Sequence, residues 1–153
     1  MKKRMILFIC SGNICRSPMA EYMLKQRLGR NSTWKICSAG VMAGAGISAS
    51  QSAMKVLKKR GIDMSAHISR QVTRELVDEA SLIIVMTIGH FEEMRMSFPD
   101  AEQKLFLLNS FNPKAKNRDV ADPMGANEDF YSEVYRQIEM ALPGLIDFIN
   151  KMK

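Results

Sequence analysis

Cysteine and histidine are scarce in this chain, and the scarcity removes several chemistries at once. Three cysteines and two histidines in 153 residues supply no paired Cys or His spacing from which to build a zinc site. An odd number of unpaired cysteines also argues against a disulfide framework and fits a reducing compartment, so a cytoplasmic protein is expected. No apolar run approaches membrane-spanning length. The first one, Met5 to Ile9, is too short for a signal-peptide core and has no cleavage site behind it. A G-x-x-x-x-G-K-[ST] string is missing as well, which excludes a P-loop nucleotidase. Acidic residues are outnumbered 16 to 22, leaving a net charge of +6. The excess is dispersed, with its densest clusters at Lys2-Lys3-Arg4 and Lys58-Lys59-Arg60. No helix-turn-helix, zinc-finger or RNA-binding signature accompanies it, so nucleic acid is not expected as a partner. A basic surface serves instead to collect an anionic substrate.

One stretch concentrates what chemistry remains. Met5-Ile6-Leu7-Phe8-Ile9 is apolar without alternation and reads as a strand buried on both faces. It runs into Cys10-Ser11-Gly12-Asn13-Ile14-Cys15, closed by Arg16-Ser17-Pro18. Ser17 suits an N-cap and Pro18 a first helical residue, which predicts a helix over Met19 to Leu28. Cys10 then stands at the carboxyl end of a strand and Arg16 at the mouth of a helix, where open α/β sheets bind ligands. Backbone N–H groups of a short loop and a helix N-terminus converge there to hold an anion. The same field, with a guanidinium nearby, favours a thiolate at Cys10. Cys10 is therefore a candidate nucleophile beneath an oxyanion held by Arg16 and the loop amides. Arginine suits that task because its planar fork binds two oxygens at once. A lone cysteine would more simply pack as a small hydrophobe, but here Cys, Gly, Arg and Ser stand together.

Further along, Thr33 to Cys37 alternates like a strand, followed by Ser38-Ala39-Gly40 and a Gly- and Ala-rich stretch from Val41 to Ser48. A helix is predicted from Ala49 to Arg60, stopped by Gly61, and a short one from Thr73 to Ala80. Leu82 to Met86 is a second buried strand, Gly89 to Ser97 a helix ending before Pro99, and Leu105 to Leu108 the last strand. Phe130, Val134, Ile138 and Leu142 mark a final helix, which Pro143 should kink or restart. Strands alternating with helices imply an α/β fold: one doubly wound domain over residues 1–153, with a four-stranded parallel sheet and about five helices. The thirteen methionines read mostly as core fillers. Gly44-Ala45-Gly46-Ile47-Ser48-Ala49 matches G-x-G-x-x-A with Asp63 beyond it, but its first glycine is separated from the preceding strand. Dinucleotide binding is not expected.

The string CSGNICRSPMAE from Cys10 to Glu21 resembles the signature of the low-molecular-weight protein tyrosine phosphatases. The resemblance continues through Ser38-Ala39-Gly40, Gly61-Ile62-Asp63, His67 and Asp122-Pro123. It implies the same small parallel sheet flanked by helices, and a metal- and cofactor-free hydrolysis of phosphoproteins through a phosphocysteine. Cys10 is then the nucleophile, Arg16 the oxyanion ligand and Asp122 the general acid, with Asp119 as the fallback. Ser11, Gly12, Asn13, Ile14, Cys15 and Ser17 form the phosphate-binding loop. Asn13, Ser17, Ser38 and His67 resemble the family's supporting hydrogen-bond network, in which Ser17 serves the Cys10 thiolate and Asn13 takes a left-handed backbone. Cys15 resembles the second loop cysteine that traps the nucleophile as a reversible disulfide. His90 matches no site position and is expected at the surface.

The expected partners are a phosphorylated protein or peptide, and phosphate or another oxyanion as product or inhibitor; a monomer is expected. Ile14 is apolar, as in the tyrosine phosphatases, whereas relatives acting on phosphoarginine carry threonine there. Met42 and Met124, the other pocket residues, replace aromatics usual in the tyrosine enzymes and are closer to the arginine branch. Phosphotyrosine is the first reading and phosphoarginine the second. Thiol-dependent arsenate reductases need two further cysteines in mid-chain, which are lacking, and a non-enzymatic phosphate-binding module would lack the nucleophile or the acid.

Overall fold

The computed structural model describes residues 3–152; Lys2 of the first basic cluster lies outside them. Four parallel strands form one sheet: β1 (Arg4–Cys10), β2 (Trp34–Gly40), β3 (Ala80–Val85) and β4 (Leu105–Leu107), in the order β2-β1-β3-β4. Five α-helices connect and cover them: α1 (Arg16–Leu28), α2 (Gln51–Lys58), α3 (Arg74–Glu79), α4 (Ile88–Ser97) and α5 (Glu128–Lys151). Two 3-10 segments, Pro99–Lys104 and Leu108–Phe111, flank β4 and were not legible as elements in the sequence.

The pleat of β1 sorts its residues between two cores. Ile6, Phe8 and Cys10 face a cluster built with Met19, Met23 and Leu24 of α1, Val56 and Leu57 of α2, and Val134, Ile138 and Leu142 of α5. Met5, Leu7 and Ile9 face the other side, with Val77 of α3 and Met94 of α4. Both faces of the strand are dry, which explains its lack of alternation. The order also makes β1 the switch point: the chain leaves it first toward β2, then returns to pair β3 on its other edge. The crevice beyond β1 is where a ligand belongs.

Several expectations need correction. Ser17 is not an N-cap: α1 begins at Arg16, its cap residue Cys15 makes no side-chain cap, and the Ser17 hydroxyl is drawn instead to Cys10. Pro18 still lies in the first turn, where its missing N–H is harmless. Helix α5 does not restart at Pro143 but runs unbroken to Lys151. Buried Leu142 and Leu145 hold it on both sides, and Gly144 lets its backbone rest against Phe111 O, where a Cβ would collide. Phe130 is exposed, and Tyr131 begins the buried stripe. Among the methionines, Met5, Met19, Met23, Met64, Met86 and Met94 are buried, whereas Met42, Met96, Met124 and Met140 are exposed. No described helix is long and apolar enough to cross a membrane.

Candidate active site

The stretch from Cys10 to Arg16 wraps the N-terminal end of α1, and its shape follows from what its carbonyls do. Val41 N donates to Cys10 O (3.0 Å), Met42 N to Ser11 O (2.9 Å) and Ser50 N to Ile14 O (2.9 Å). His67 Nε2 reaches Asn13 O at 2.7 Å. Those four carbonyls are engaged, while among the described residues no backbone carbonyl accepts from the N–H groups of Gly12 to Cys15, which leaves these donors for an anion. Such convergent donors at a helix N-terminus form an anion nest. Asn13 sits in the left-handed region, φ 58°, the one non-glycine there among the described residues. Gly40 is required for close approach: a Cβ would collide with Ser11 O and lie 3.1 Å from Asn13 N.

A buried hydrogen-bond chain fixes the thiol. Asn13 Nδ2 donates to Ser17 Oγ (2.8 Å) and to Ser38 Oγ (2.9 Å), and Ser38 Oγ donates to Glu21 Oε1 (2.6 Å). Ser17 Oγ lies 2.9 Å from Cys10 Sγ and 3.5 Å from Ala39 O, so its proton can turn to the sulfur when Cys10 carries charge. Asn13 Oδ1 takes Arg70 N (3.0 Å), so both ends of the amide are engaged. Ser38, His67, Asn13 and Ser17 thus meet in one hydrogen-bond network. Glu21 and Arg70 had been overlooked; Glu21 lies inside the signature string, and its burial in the first half of α1 is the signal that marks it.

Arg16 is 4% exposed and works in two directions. Nη1 donates to Val120 O (3.0 Å), tying down the segment that carries Asp122, while Nη2 faces Asp122 Oδ2 at 3.7 Å. Val120 N in turn donates to Met86 O at the end of β3 (2.8 Å). Asp122 also accepts from Met124 N (3.0 Å) and so starts a turn, the commonplace role of an Asp-Pro pair, without leaving the site. Asp119 is not among the residues lining the cavity, and its Oδ1 accepts from Ile88 N (2.8 Å) at the start of α4.

These groups surround a cavity of about 270 Å³, lined by Cys10, Ser11, Gly12, Ile14, Cys15, Arg16, Met42, Asp122 and Met124. Cys10 lies at its floor, 2% exposed. Of the larger cavities, the one of about 960 Å³ against β2 includes Cys37, Arg70 and Glu79 but lies at the C-terminal end of α1, and the one of about 800 Å³ beside α2 has no thiol or guanidinium. Cys15 is a free, buried thiol with Ser50 Oγ at 3.4 Å and Tyr131 Oη at 3.5 Å; burial pushes its pKa up. Among the described residues no cluster of three metal-ligating side chains occurs. His90 is not at the surface as expected. It is buried, with Nε2 2.8 Å from Ser11 Oγ.

Comparison with known proteins agrees with this geometry. The family model for low molecular weight phosphotyrosine protein phosphatase matches residues 5–153. The protein-arginine-phosphatase of Geobacillus stearothermophilus is 41% identical over 142 residues, covering 93% of this chain and 90% of the relative. The low molecular weight protein-tyrosine-phosphatase Ptp of Acinetobacter johnsonii is 38% identical over 133 residues, covering 87% and 89%. Among solved structures, a Cys-to-Ser variant of the YwlE arginine phosphatase, described with a phosphorylated active-site serine, superposes with a TM-score of 0.87 at 32% identity, covering 97% of each chain. The chain belongs to the low molecular weight phosphotyrosine protein phosphatase family, whose members are cysteine-dependent phosphatases.

Proposed function

We propose that this phosphatase hydrolyses phosphotyrosine in proteins through a cysteinyl-phosphate on Cys10. The observation that carries the proposal is the single cavity lined by Cys10, the loop whose amides have no backbone partner, Arg16, and Asp122 facing the guanidinium. Cys10 Sγ attacks phosphorus in line, Arg16 and the amides hold the non-bridging oxygens, and Asp122 protonates the leaving oxygen. The sulfur–phosphorus bond is then cleaved by water, whose proton Asp122 takes. Ser17 Oγ donates to the sulfur when it attacks and again when it leaves. The phosphorylated serine in the Cys-to-Ser relative supports the same position as the acceptor. Because Asp122 alone brings a carboxyl group into the cavity, Asp122→Ala should lower kcat on a phosphotyrosine peptide by about 10²–10⁴-fold. Asp119→Ala should stay within about tenfold, and the reverse ranking would transfer the acid role to Asp119.

The choice of tyrosine rests on the walls. Ile14, the residue that favours phosphotyrosine in the sequence, lines an apolar part of the cavity with Met42 and Met124. A guanidino leaving group would meet one carboxylate in the lining, Asp122, beside the like-charged Arg16. Phosphoarginine remains the second reading, favoured by the absence of any aromatic ring from the cavity lining and by the arginine phosphatase among the relatives. Matched peptides carrying either phosphoamino acid, assayed without metal, decide the matter. At least a tenfold advantage in kcat/KM, about 1.4 kcal/mol, is expected for phosphotyrosine. An advantage for phosphoarginine would establish the second reading.

A further inference from the structure

The reaction above leaves the buried imidazole of His90 without a part. His90 is 6% exposed and sits in the first turn of α4, where Thr87 Oγ1 accepts from its backbone N–H (3.0 Å). The neighbouring residue Ile88 is held by Asp119 through its own N–H. That placement carries the ring from the end of β3 across to the loop after β1, where Nε2 lies 2.8 Å from Ser11 Oγ.

The proton on that ring can be assigned by elimination. Burial, reinforced by the Arg16 guanidinium, pushes the His90 pKa down to about 4 against the opposing pull of Asp119 and Asp122, so the imidazole is neutral at physiological pH. A neutral ring has one N–H to place. Nδ1 is buried and has no hydrogen-bond partner. A proton there would leave a buried donor orphaned, which proteins tolerate less readily than an unfilled acceptor. The proton belongs on Nε2, and Ser11 Oγ accepts it. The hydroxyl hydrogen of Ser11 is then unspent, since among the described residues no second group is hydrogen-bonded to that oxygen. Ser11 lines the cavity above Cys10.

We propose that His90 is a positioning residue that holds Ser11 so its hydroxyl donates into the cavity, adding a side-chain donor to the loop amides and Arg16 around the substrate's phosphoryl oxygens. The inference rests on the phosphatase reading of this cavity. It also gives the ring's neutrality a purpose, because a second cation beside Arg16 would need no serine between itself and the anion.

Two measurements test it. Long-range 15N–1H correlation spectra of the wild-type protein at neutral pH should show His90 as the Nε2–H tautomer; the Nδ1–H tautomer would overturn the proposal. Inhibition by inorganic phosphate, read against an aryl phosphate substrate, should weaken about tenfold in Ser11→Ala, as expected for one donor lost from a charged acceptor. His90→Leu should weaken it comparably, and the double variant no further than Ser11→Ala alone. His90→Gln, whose amide nitrogen can reach the place of Nε2, should recover phosphate inhibition to within about twofold of wild type. Unchanged inhibition in Ser11→Ala, additive losses in the double variant, or no rescue by glutamine would each contradict the relay. Wild-type protein that neither hydrolyses the aryl phosphate nor binds phosphate would instead overturn the phosphatase reading, and this proposal with it.

Discussion

Cys10→Ser is expected to lose turnover by on the order of 10⁴-fold or more while still binding phosphate at least as tightly as the wild type. The hydroxyl of serine is far less acidic than a thiol, and the site supplies no base to it. The Cys10 side chain has one side-chain partner among the described residues, the Ser17 hydroxyl, which is too weak a base to take a serine proton. The anion-binding groups are otherwise untouched: the carbonyls of Ser11, Asn13 and Ile14 remain engaged, and Arg16 keeps its bond to Val120 O. Isothermal titration with phosphate beside a turnover assay separates the two properties. Substantial turnover that EDTA abolishes would mean that a metal, not Cys10, carries the reaction.

Arg16→Lys ranks next. Arg16 spends Nη1 on Val120 O while Nη2 points toward Asp122 and the cavity. A lysine ammonium is a point charge on a flexible stem; it cannot anchor the Val120 carbonyl and present a parallel pair of donors to an oxyanion at the same time. Loss of the anchor also loosens the segment bearing Asp122, so the positive field and the proton donor suffer together. A loss of about 10³-fold in kcat/KM is expected. An unchanged circular dichroism spectrum would show that the fold survives. Retention of activity within tenfold would mean that the loop amides alone bind the oxyanion.

How far the sequence could be read depended on whether a role was local. β1, the loop and α1 form one continuous stretch, and a double-sided apolar strand running into Cys10 and Arg16 carries both its structure and its chemistry in neighbouring residues. Asn13 could be placed in the left-handed region because its side chain tolerates it, and it is there. Ser17 was assigned a cap by the ordinary preference of serine before Pro18, yet the thiol at Cys10 competes for the same hydroxyl and wins. His90 was missed because nothing near it in sequence announces a site. Its role comes from topology: β3 pairs with β1, so the first turn of the helix after β3 overhangs the loop after β1. Thr87, a good N-cap residue three positions earlier, was the available signal. Pro143 shows the reverse case, where a strong local breaker is overruled by packing on both sides of it. Composition does not separate Met42 and Met124 from the core methionines; the family resemblance does, and both are exposed and line the cavity.

The central claim is that phosphoryl transfer passes through the sulfur of Cys10. The most direct measurement is rapid acid-free quenching of wild-type enzyme turning over a phosphotyrosine peptide in EDTA, followed by mass spectrometry of the peptide containing Cys10. One phosphoryl group on Cys10, formed within the first turnover and decaying as substrate is exhausted, is the predicted result. Steady turnover with Cys10 never modified, or a phosphoryl group found instead on His67 or His90, would contradict it.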